Sequence, residues 1–239
     1  MNEALLIKSV QTHLNSFYNR RIAKLSTLAL KKTLRRKNPY LFRAVGLLDA
    51  NEVIERLLND FMSSSDETIF GDAFFEPLAK DLGTGIASPT EGMDIVIETE
   101  TAYKAIAVKS GPSVFNAQSR RRQNQDFQAL RSRMMKLQKH FEAIVGYSYG
   151  RKFSLPNENK IFTEMAGQTF WAELTGESNC YLKIIEAMQD MPIRHKDKFN
   201  EEWAKAKNRF AKEFITDFCN DDGMIEWNKL LEFNSGSKK

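Results

Sequence analysis

Two short segments pair an acid with a lysine in an order that suits phosphodiester chemistry. Gly92-Met93-Asp94 opens one apolar run, and Ala107-Val108-Lys109 closes the next. Antiparallel strands joined by a short turn would bring Asp94 and Lys109 to the same end of a sheet. There the carboxylate can hold a hard cation such as Mg²⁺, and the lysine can orient or deprotonate a water and offset charge on a phosphate. An ordinary hairpin with a charge at each end is the alternative.

Apolar patterns predict the elements that would position this pair. A loop around Ser88 and Pro89 leads into a series of strand, strand, helix and strand, at residues 93–98, 103–109, 119–141 and 143–150. Helical patterns occupy much of the chain on both sides of this series. The predicted fold class is therefore α/β, with a small mixed central sheet, flanking helices and an N-terminal helical region.

The chain is expected to divide into consecutive parts, which are an N-terminal helical region at 1–62, a core with C-terminal helices at 63–232 and a disordered tail at 233–239. The core would begin at the serine run 63–65. A serine N-cap followed by Glu67 predicts the start of a new helix there, with a capping box.

Composition excludes several kinds of site and location. The chain has 239 residues, and its 42% apolar content is ordinary for a soluble globular protein. The two cysteines match no zinc-ligand spacing and the three histidines include no i, i+4 pair, so a zinc or histidine-built site is not expected. No apolar run approaches the length of a membrane span. We therefore expect a cytoplasmic protein with no membrane contact.

Basic residues are concentrated in two places, although the net charge is only +4. Eight lie between Asn19 and Lys37 without an acid, and seven lie between Ser119 and Lys139 against one acid, Asp126. Such clusters can neutralise phosphates and supply the salt-sensitive part of nucleic-acid affinity. The alternative is that both are solvated helix faces.

The arrangement around Asp94 and Lys109 resembles the core of PD-(D/E)xK nucleases, an αβββαβ unit. Five further segments look like those of PmeII-type restriction endonucleases, namely Asn38 to Ala44, Ser63 to Gly71, Val108 to Pro112, Gly146 to Gly150 and Gly167 to Trp171. The resemblance implies a double-stranded DNA substrate, Mg²⁺, a homodimer and cleavage at a short specific sequence. Symmetric recognition of a duplex needs two copies of the site, which also favours a dimer.

In that family an acid from the preceding helix shares the metal with the strand carboxylate. Glu67 matches this helix acid best, and Glu76 is the second candidate. Nine residues apart in a regular helix, the two would lie on roughly opposite faces, so at most one should point into the site.

The sequence departs from the family pattern at Ala107, where an acid is expected two residues before the lysine. Three explanations compete. The acid has moved to the following helix, as Asp126; or Glu67 takes over the ligation, with the main-chain carbonyl of Val108 as a further ligand; or the chain is catalytically weak. We favour the second, with help from Asp126.

The expected function is thus a Mg²⁺-dependent type II restriction endonuclease in which Asp94, Lys109, Glu67 and Asp126 are catalytic, and Asp94, Glu67 and Val108 bind the metal. The expected DNA contacts follow Lys109, at Asn116, Gln118, Arg120, Arg121, Arg122 and Gln123. Two alternatives stay open. One is a structure-specific resolvase or repair nuclease, and the other is a non-catalytic DNA-binding module with the same fold.

Overall fold

The computed structural model describes residues 2–83, 85–87 and 92–237. Ten helices lie in this part of the chain: α1 Glu3–Ser26, α2 Leu30–Leu34, α3 Pro39–Ala44, α4 Ala50–Phe70, α5 Glu76–Leu82, α6 Ala117–Lys136, α7 Gln168–Thr175, α8 Cys180–Ala187, α9 Met191–Phe218 and α10 Trp227–Ser235. A π-helical turn, Gly71–Phe75, joins α4 to α5. The strands are β1 Ile86–Ala87, β2 Ile95–Glu98, β3 Ala102–Lys109, β4 His140–Tyr147, β5 Phe153–Ser154 and β6 Thr163–Ala166.

The strands form one mixed sheet in the order β1-β2-β3-β4-β6-β5. The pairs β1/β2, β2/β3 and β5/β6 are antiparallel, whereas β3/β4 and β4/β6 are parallel. Helix α6 provides the crossover that the parallel pair β3/β4 requires. The predicted α/β class, with its mixed central sheet, flanking helices and N-terminal helices, is confirmed. The short strands β1, β5 and β6 were not predicted.

The order strand, strand, helix, strand is as predicted, but some boundaries differ. Helix α6 ends at Lys136, five residues before the predicted end, and Gln138 has a φ of 56°, which a continuing helix does not allow. Strand β4 then begins at His140, because it pairs with Ala102 at the start of β3.

The predicted helix start at the serine run is wrong. Helix α4 passes without a break from Ala50 to Phe70, so Ser63 to Ser65 lie in its interior and cap nothing. Its start is capped by Asp49, whose Oδ1 accepts from the amides of Asn51 and Glu52. The irregularity comes later, at the π-helical turn just before Pro77, since proline cannot donate the next helical hydrogen bond.

The chain packs as two compact units built from discontinuous segments. The sheet unit comprises Met1–Phe17 and Ile69–Met191, and the helical unit comprises Tyr18–Thr68 and Pro192–Lys239. The consecutive division at residue 62 expected from the sequence remains a prediction.

Each unit has its own buried core. In the sheet unit, apolar side chains from β2, β3 and β4 pack with Phe127 and Leu130 of α6. In the helical unit, α4 packs with Phe210, Phe214 and Phe218 of α9. The amphipathic pattern of α4 and α9, with buried residues three to four apart, accounts for this packing.

The predicted tail begins too early. Helix α10 includes residues 233–235, because the Phe233 ring packs on Phe218 at 5.2 Å and the Asn234 amide donates to the carbonyls of Leu34 and Lys37. Lys238 and Lys239 lie outside the described residues, as do Ser88 and Pro89 of the predicted loop. Among the described helices, none is both long and apolar enough to cross a membrane.

Candidate active site

Asp94 and Lys109 lie at the same end of the sheet, as the hairpin pattern predicts. The Asp94 amide donates to the carbonyl of Ile106 at 2.9 Å and so extends the β2/β3 ladder by one residue. The Asp94 Oδ2 atom accepts from the backbone amide of Val108 at 2.7 Å. This bond holds the carboxyl next to Val108, one residue before Lys109 at the end of β3.

The carbonyl of Val108 faces the same side as its amide. In an antiparallel pair the amide and carbonyl of one residue point toward the same neighbouring strand. Because the Val108 amide bonds to Asp94, the Val108 carbonyl also lies on the β2 side of β3, beyond the residues that pair with β2. The Asp94 carboxylate and this carbonyl are both oxygen ligands of the kind that Mg²⁺ accepts.

Glu76, at the start of α5, is the helix acid whose negative charge raises the pKa of Asp94. The π-helical turn and α5 pack against β3. Gly71 comes close to the residue after Lys109, since a Cβ added to it would lie 3.2 Å from Ser110 Cβ. The Glu76 Oε1 atom accepts from Lys80 Nζ at 2.6 Å.

The electrostatic environment of Asp94 favours its protonated form. Burial raises the pKa of the Asp94 carboxyl; the Val108 hydrogen bond lowers it, Glu76 raises it, and Lys109 and Lys80 lower it, with a net rise. A nearby cation would favour the ionised form of this buried carboxyl.

Glu67, the preferred helix acid of the sequence analysis, lies elsewhere in the chain. It is an exposed residue of α4, in the segment that belongs to the helical unit. Within the described residues, the charged groups that shift the pKa of Asp94 are Glu76, Lys109 and Lys80. The π-helical turn interrupts the regular helix between Glu67 and Glu76, so their expected placement on opposite faces does not apply.

Asp126 approaches the loop that leads into Asp94. Gly92 has a φ of +81°, and a Cβ added to it would lie 2.9 Å from Asp126 Oδ2. Asp126, Lys109 and Gly92 share the wall of a cavity of about 300 Å³. Ala107 itself is fully buried in the apolar core beneath α6. Asp126 is thus the α6 acid that lies next to the segment before Asp94, and its replacement of an acid at position 107 stays a prediction.

Gln123 also bonds to Gly92, in the segment that leads into Asp94. Its side chain is buried, and Nε2 donates to the Gly92 carbonyl at 2.9 Å. The structure thus gives the Gln123 side chain a partner within the protein, whereas the sequence analysis expected it to contact DNA. Together, Gln123 and Asp126 connect one face of α6 to the turn that precedes Asp94.

The oxygen donors at this edge suit Mg²⁺, which commonly uses one or two protein carboxylates and completes its shell with water and substrate oxygens. Asp94, Glu76 and the Val108 carbonyl can supply such ligands. Within the described part of the chain, no group of three or more His, Cys, Asp or Glu side chains is close enough to hold a metal ion by itself.

Some of the predicted DNA contacts make hydrogen bonds within the protein, and others are exposed along a groove. Asn116 caps α6, where its Oδ1 accepts from the Ser119 amide at 2.8 Å and Ser119 Oγ accepts from the Asn116 amide in return. Gln118, Arg121 and Arg122 are exposed. They line a groove of about 540 Å³ along the start of α6.

Arg120 points instead into a buried ion cluster that the sequence analysis missed. The Glu164 carboxyl of β6 is 2% exposed and accepts from Arg120 at 3.0 Å, Lys152 at 2.7 Å, Lys160 at 2.8 Å and the Tyr147 hydroxyl at 2.6 Å. Burial alone would raise the pKa of Glu164, but these hydrogen bonds outweigh it and hold that pKa far below its usual range. The available signal was an acid inside an otherwise apolar strand.

Two of the segments that resemble PmeII-type enzymes, Gly146 to Gly150 and Gly167 to Trp171, pack at the sheet. Phe170 of α7 lies against Gly146, where an added Cβ would be 2.0 Å from the ring, so only glycine fits. The Trp171 indole donates to the Ser148 carbonyl at 2.9 Å. These contacts fix α7 on the face of β4 opposite α6.

A family model describing the type II restriction endonuclease EcoO109I matches residues 5–199. The chain belongs to the EcoO109I family of type II restriction endonucleases. The match covers the whole sheet and α6, so Asp94, Lys109 and Asp126 lie within the region shared with the EcoO109I family. A DNA nuclease is accordingly its activity class. Comparison with curated proteins gives no match.

Proposed function

We propose that this protein is a Mg²⁺-dependent type II restriction endonuclease of the PD-(D/E)xK type, similar to PmeII-type enzymes. It would hydrolyse phosphodiester bonds of double-stranded DNA at a short specific sequence, as a homodimer in the cytoplasm. The observation that carries the proposal is the Asp94 carboxyl held by the Val108 amide next to Lys109. An acid, a carbonyl and a lysine at one strand end meet the needs of phosphodiester hydrolysis.

Asp94, Glu76 and the Val108 carbonyl would hold the metal, with Glu67 as the alternative helix acid from the sequence. When bound, Mg²⁺ supplies Lewis-acid polarisation of the scissile phosphate and lowers the pKa of a coordinated water. Binding the cation would also offset the burial and the Glu76 charge that raise the pKa of Asp94.

Lys109 would act on the nucleophile and the phosphate. It lines the same cavity as Asp126, so its ammonium can position the attacking water and offset negative charge developing on the phosphate. Asp126 would compensate for Ala107 by accepting a hydrogen bond from the attacking water. We therefore favour displacement of the acid to α6 over loss of catalysis.

The start of α6 would contact the DNA. Arg121, Arg122 and Gln118 are exposed along one groove there, and their donors suit backbone phosphates. Arg120 would contribute indirectly, since its ion pair with Glu164 fixes the start of α6 to β6.

The deciding experiment is digestion of a sequenced phage genome by the full chain in Mg²⁺, Ca²⁺ or EDTA, with the ends mapped by sequencing. We expect ends at one short symmetric sequence, in Mg²⁺ only, and a dimer by sedimentation. Cleavage confined to branched DNA would replace the proposal with a structure-specific nuclease. Tight duplex binding without cleavage would replace it with a DNA-binding module.

A further inference from the structure

The basic run between Asn19 and Lys37 has two kinds of members. Four of its side chains are engaged within the helical unit: Arg21 with Asp66 at 2.8 Å, Lys31 with Asp217 at 2.9 Å, Lys37 with Asp60 at 3.0 Å and Arg35 over the Phe233 ring at 5.2 Å. Lys24, Lys32 and Arg36 are exposed, as is Arg20, and Lys24 Nζ lies 5.7 Å from the centre of the Phe61 ring. One groove of the helical unit is lined by Lys24, Lys32 and Arg36 and not by Arg20. Across residues 2–83, 85–87 and 92–237, no ion pair joins any of these three to a carboxylate.

These three side chains converge on one groove. It has a volume of about 480 Å³ and lies between the end of α1, α2 and the second half of α4. Lys37 and Asp60 also line it, but the Asp60 carboxylate is already bound by Lys37 at 3.0 Å and by Arg56 at 3.1 Å. The groove therefore carries an excess of positive charge that the protein does not neutralise.

Like charges gathered around one concavity repel each other, and an anion placed there would relieve the repulsion. The donors suit a phosphate better than a single carboxylate. Arg36 offers a planar fork, Lys24 and Lys32 offer point charges, and the hydroxyls of Ser64 and Ser65 lie on the α4 wall. Several cations with hydroxyl donors match a ligand that has repeated negative charges.

We propose that this groove binds phosphates of the DNA backbone, as a contact of the helical unit additional to the site at Asp94 and Lys109. The identity of the phosphate source rests on the proposed function. The same chemistry would also accept a free nucleotide or polyphosphate, and the experiment separates these sources.

The test compares the full chain with a variant carrying Lys24→Gln, Lys32→Gln and Arg36→Gln. Binding to a duplex is measured in Ca²⁺ across a range of salt concentrations. Each lost phosphate contact should flatten the plot of log K against log salt by about 0.9, so the triple variant should lose about 2 to 3 from the slope. A matched control removes three exposed lysines of α9 outside the groove, through Lys196→Gln, Lys198→Gln and Lys212→Gln.

A flattened slope in the groove variant alone supports the proposal. An unchanged slope, or an equal loss in both triples, overturns it. Inorganic triphosphate titrated without DNA gives the second arm: groove-dependent binding of triphosphate, with an unchanged DNA slope, assigns the groove to a free polyphosphate and overturns the DNA source. If the triple variant does not fold, Lys32→Gln and Arg36→Gln singly should each flatten the slope by about 0.9.

Failure of this inference differs from failure of the proposed function. Site-specific cleavage with an unaffected salt slope rejects the groove alone. A groove-dependent salt slope without cleavage in Mg²⁺ rejects the nuclease alone.

Discussion

The Oδ2 atom of Asp94 accepts a 2.7 Å hydrogen bond from the amide of Val108, which holds the carboxyl beside the end of β3. Burial raises the pKa of the same carboxyl, and the negative charge of Glu76 raises it further. A group needed to bind a cation is thus held in an environment that penalises its own charge. This conflict has measurable consequences for both activity and stability.

Replacing Asp94 by Asn should lower cleavage on the order of 100-fold or more, since a neutral amide is a poor Mg²⁺ ligand. DNA binding in Ca²⁺ should survive. Because the pKa of Asp94 is raised in the folded state, its ionisation at neutral pH costs stability, and that cost disappears as pH falls through the raised pKa. Asp94→Asn should therefore be more stable than wild type at pH 7, with the gap narrowing in acid. Cleavage near the wild-type rate would reject the site.

Exchanging Glu76 for Gln tests which helix acid serves the site. We expect the rate of single-turnover cleavage to fall on the order of 100-fold, because Glu76 is the carboxylate whose charge raises the pKa of Asp94 and which would hold the metal with it. Asp72→Asn is the matched control, since it removes an exposed acid from the neighbouring π-helical turn and should leave the rate near wild type. Glu67→Gln is measured beside them. A dead Glu67→Gln with an active Glu76→Gln would restore the assignment made from the sequence.

Gly92→Ala should reduce cleavage through Asp126. The substitution places a Cβ 2.9 Å from Asp126 Oδ2 at a φ of +81°, so it both displaces the carboxylate and adds backbone strain of about 1 to 2 kcal/mol. Gly223→Ala provides the control, because it has nearly the same φ, +79°, and nothing within 4 Å of the added Cβ. The control should lose stability and keep its cleavage rate. If Asp126→Asn cuts normally, Asp126 has no part in the reaction.

Glu164→Gln should destabilise the fold by on the order of 3 to 5 kcal/mol, because it leaves Arg120, Lys152 and Lys160 without their shared carboxylate. The folded pKa of Glu164 lies below its unfolded value, so the cluster stabilises the protein above about pH 4.3, and this contribution is lost as pH falls further. Unfolding midpoints of wild type and variant should converge in acid. Glu142→Gln, at a partly exposed ion pair with Lys104, should change stability by about 1 kcal/mol or less. A constant gap at all pH values would contradict this account.

The central elements of the fold could be predicted because their patterns are long. Strands β3 and β4 each contain eight residues, with a run of buried positions that is typical of strands covered on both faces. Strands β1 and β5 contain two residues each, which is too short for any periodicity. Their existence follows from pairing with β2 and β6, and such pairing is a tertiary property.

The candidate site could be predicted only in part. Asp94 and Lys109 follow from hairpin geometry, because neighbouring antiparallel strands bring such ends together. Glu76 was ranked second, since a regular helical period does not allow for the π-helical turn that precedes it. The ion pair of Arg120 with Glu164 joins residues 44 positions apart, and no local sequence pattern predicts it.

Helix α6 has one further consequence for how a cut can be made conditional on sequence. Arg121 and Arg122 in its second turn are exposed, the Gln123 side chain donates to the Gly92 carbonyl, and Asp126 lies close to Gly92. The side chains proposed to contact DNA and the contacts to Gly92 therefore lie on one helix. If the proposed binding of DNA shifted α6, Gly92 would move with it, two residues before Asp94. A poorly fitting sequence would then be bound without the proposed metal site being aligned, so binding and cleavage would have different sequence requirements.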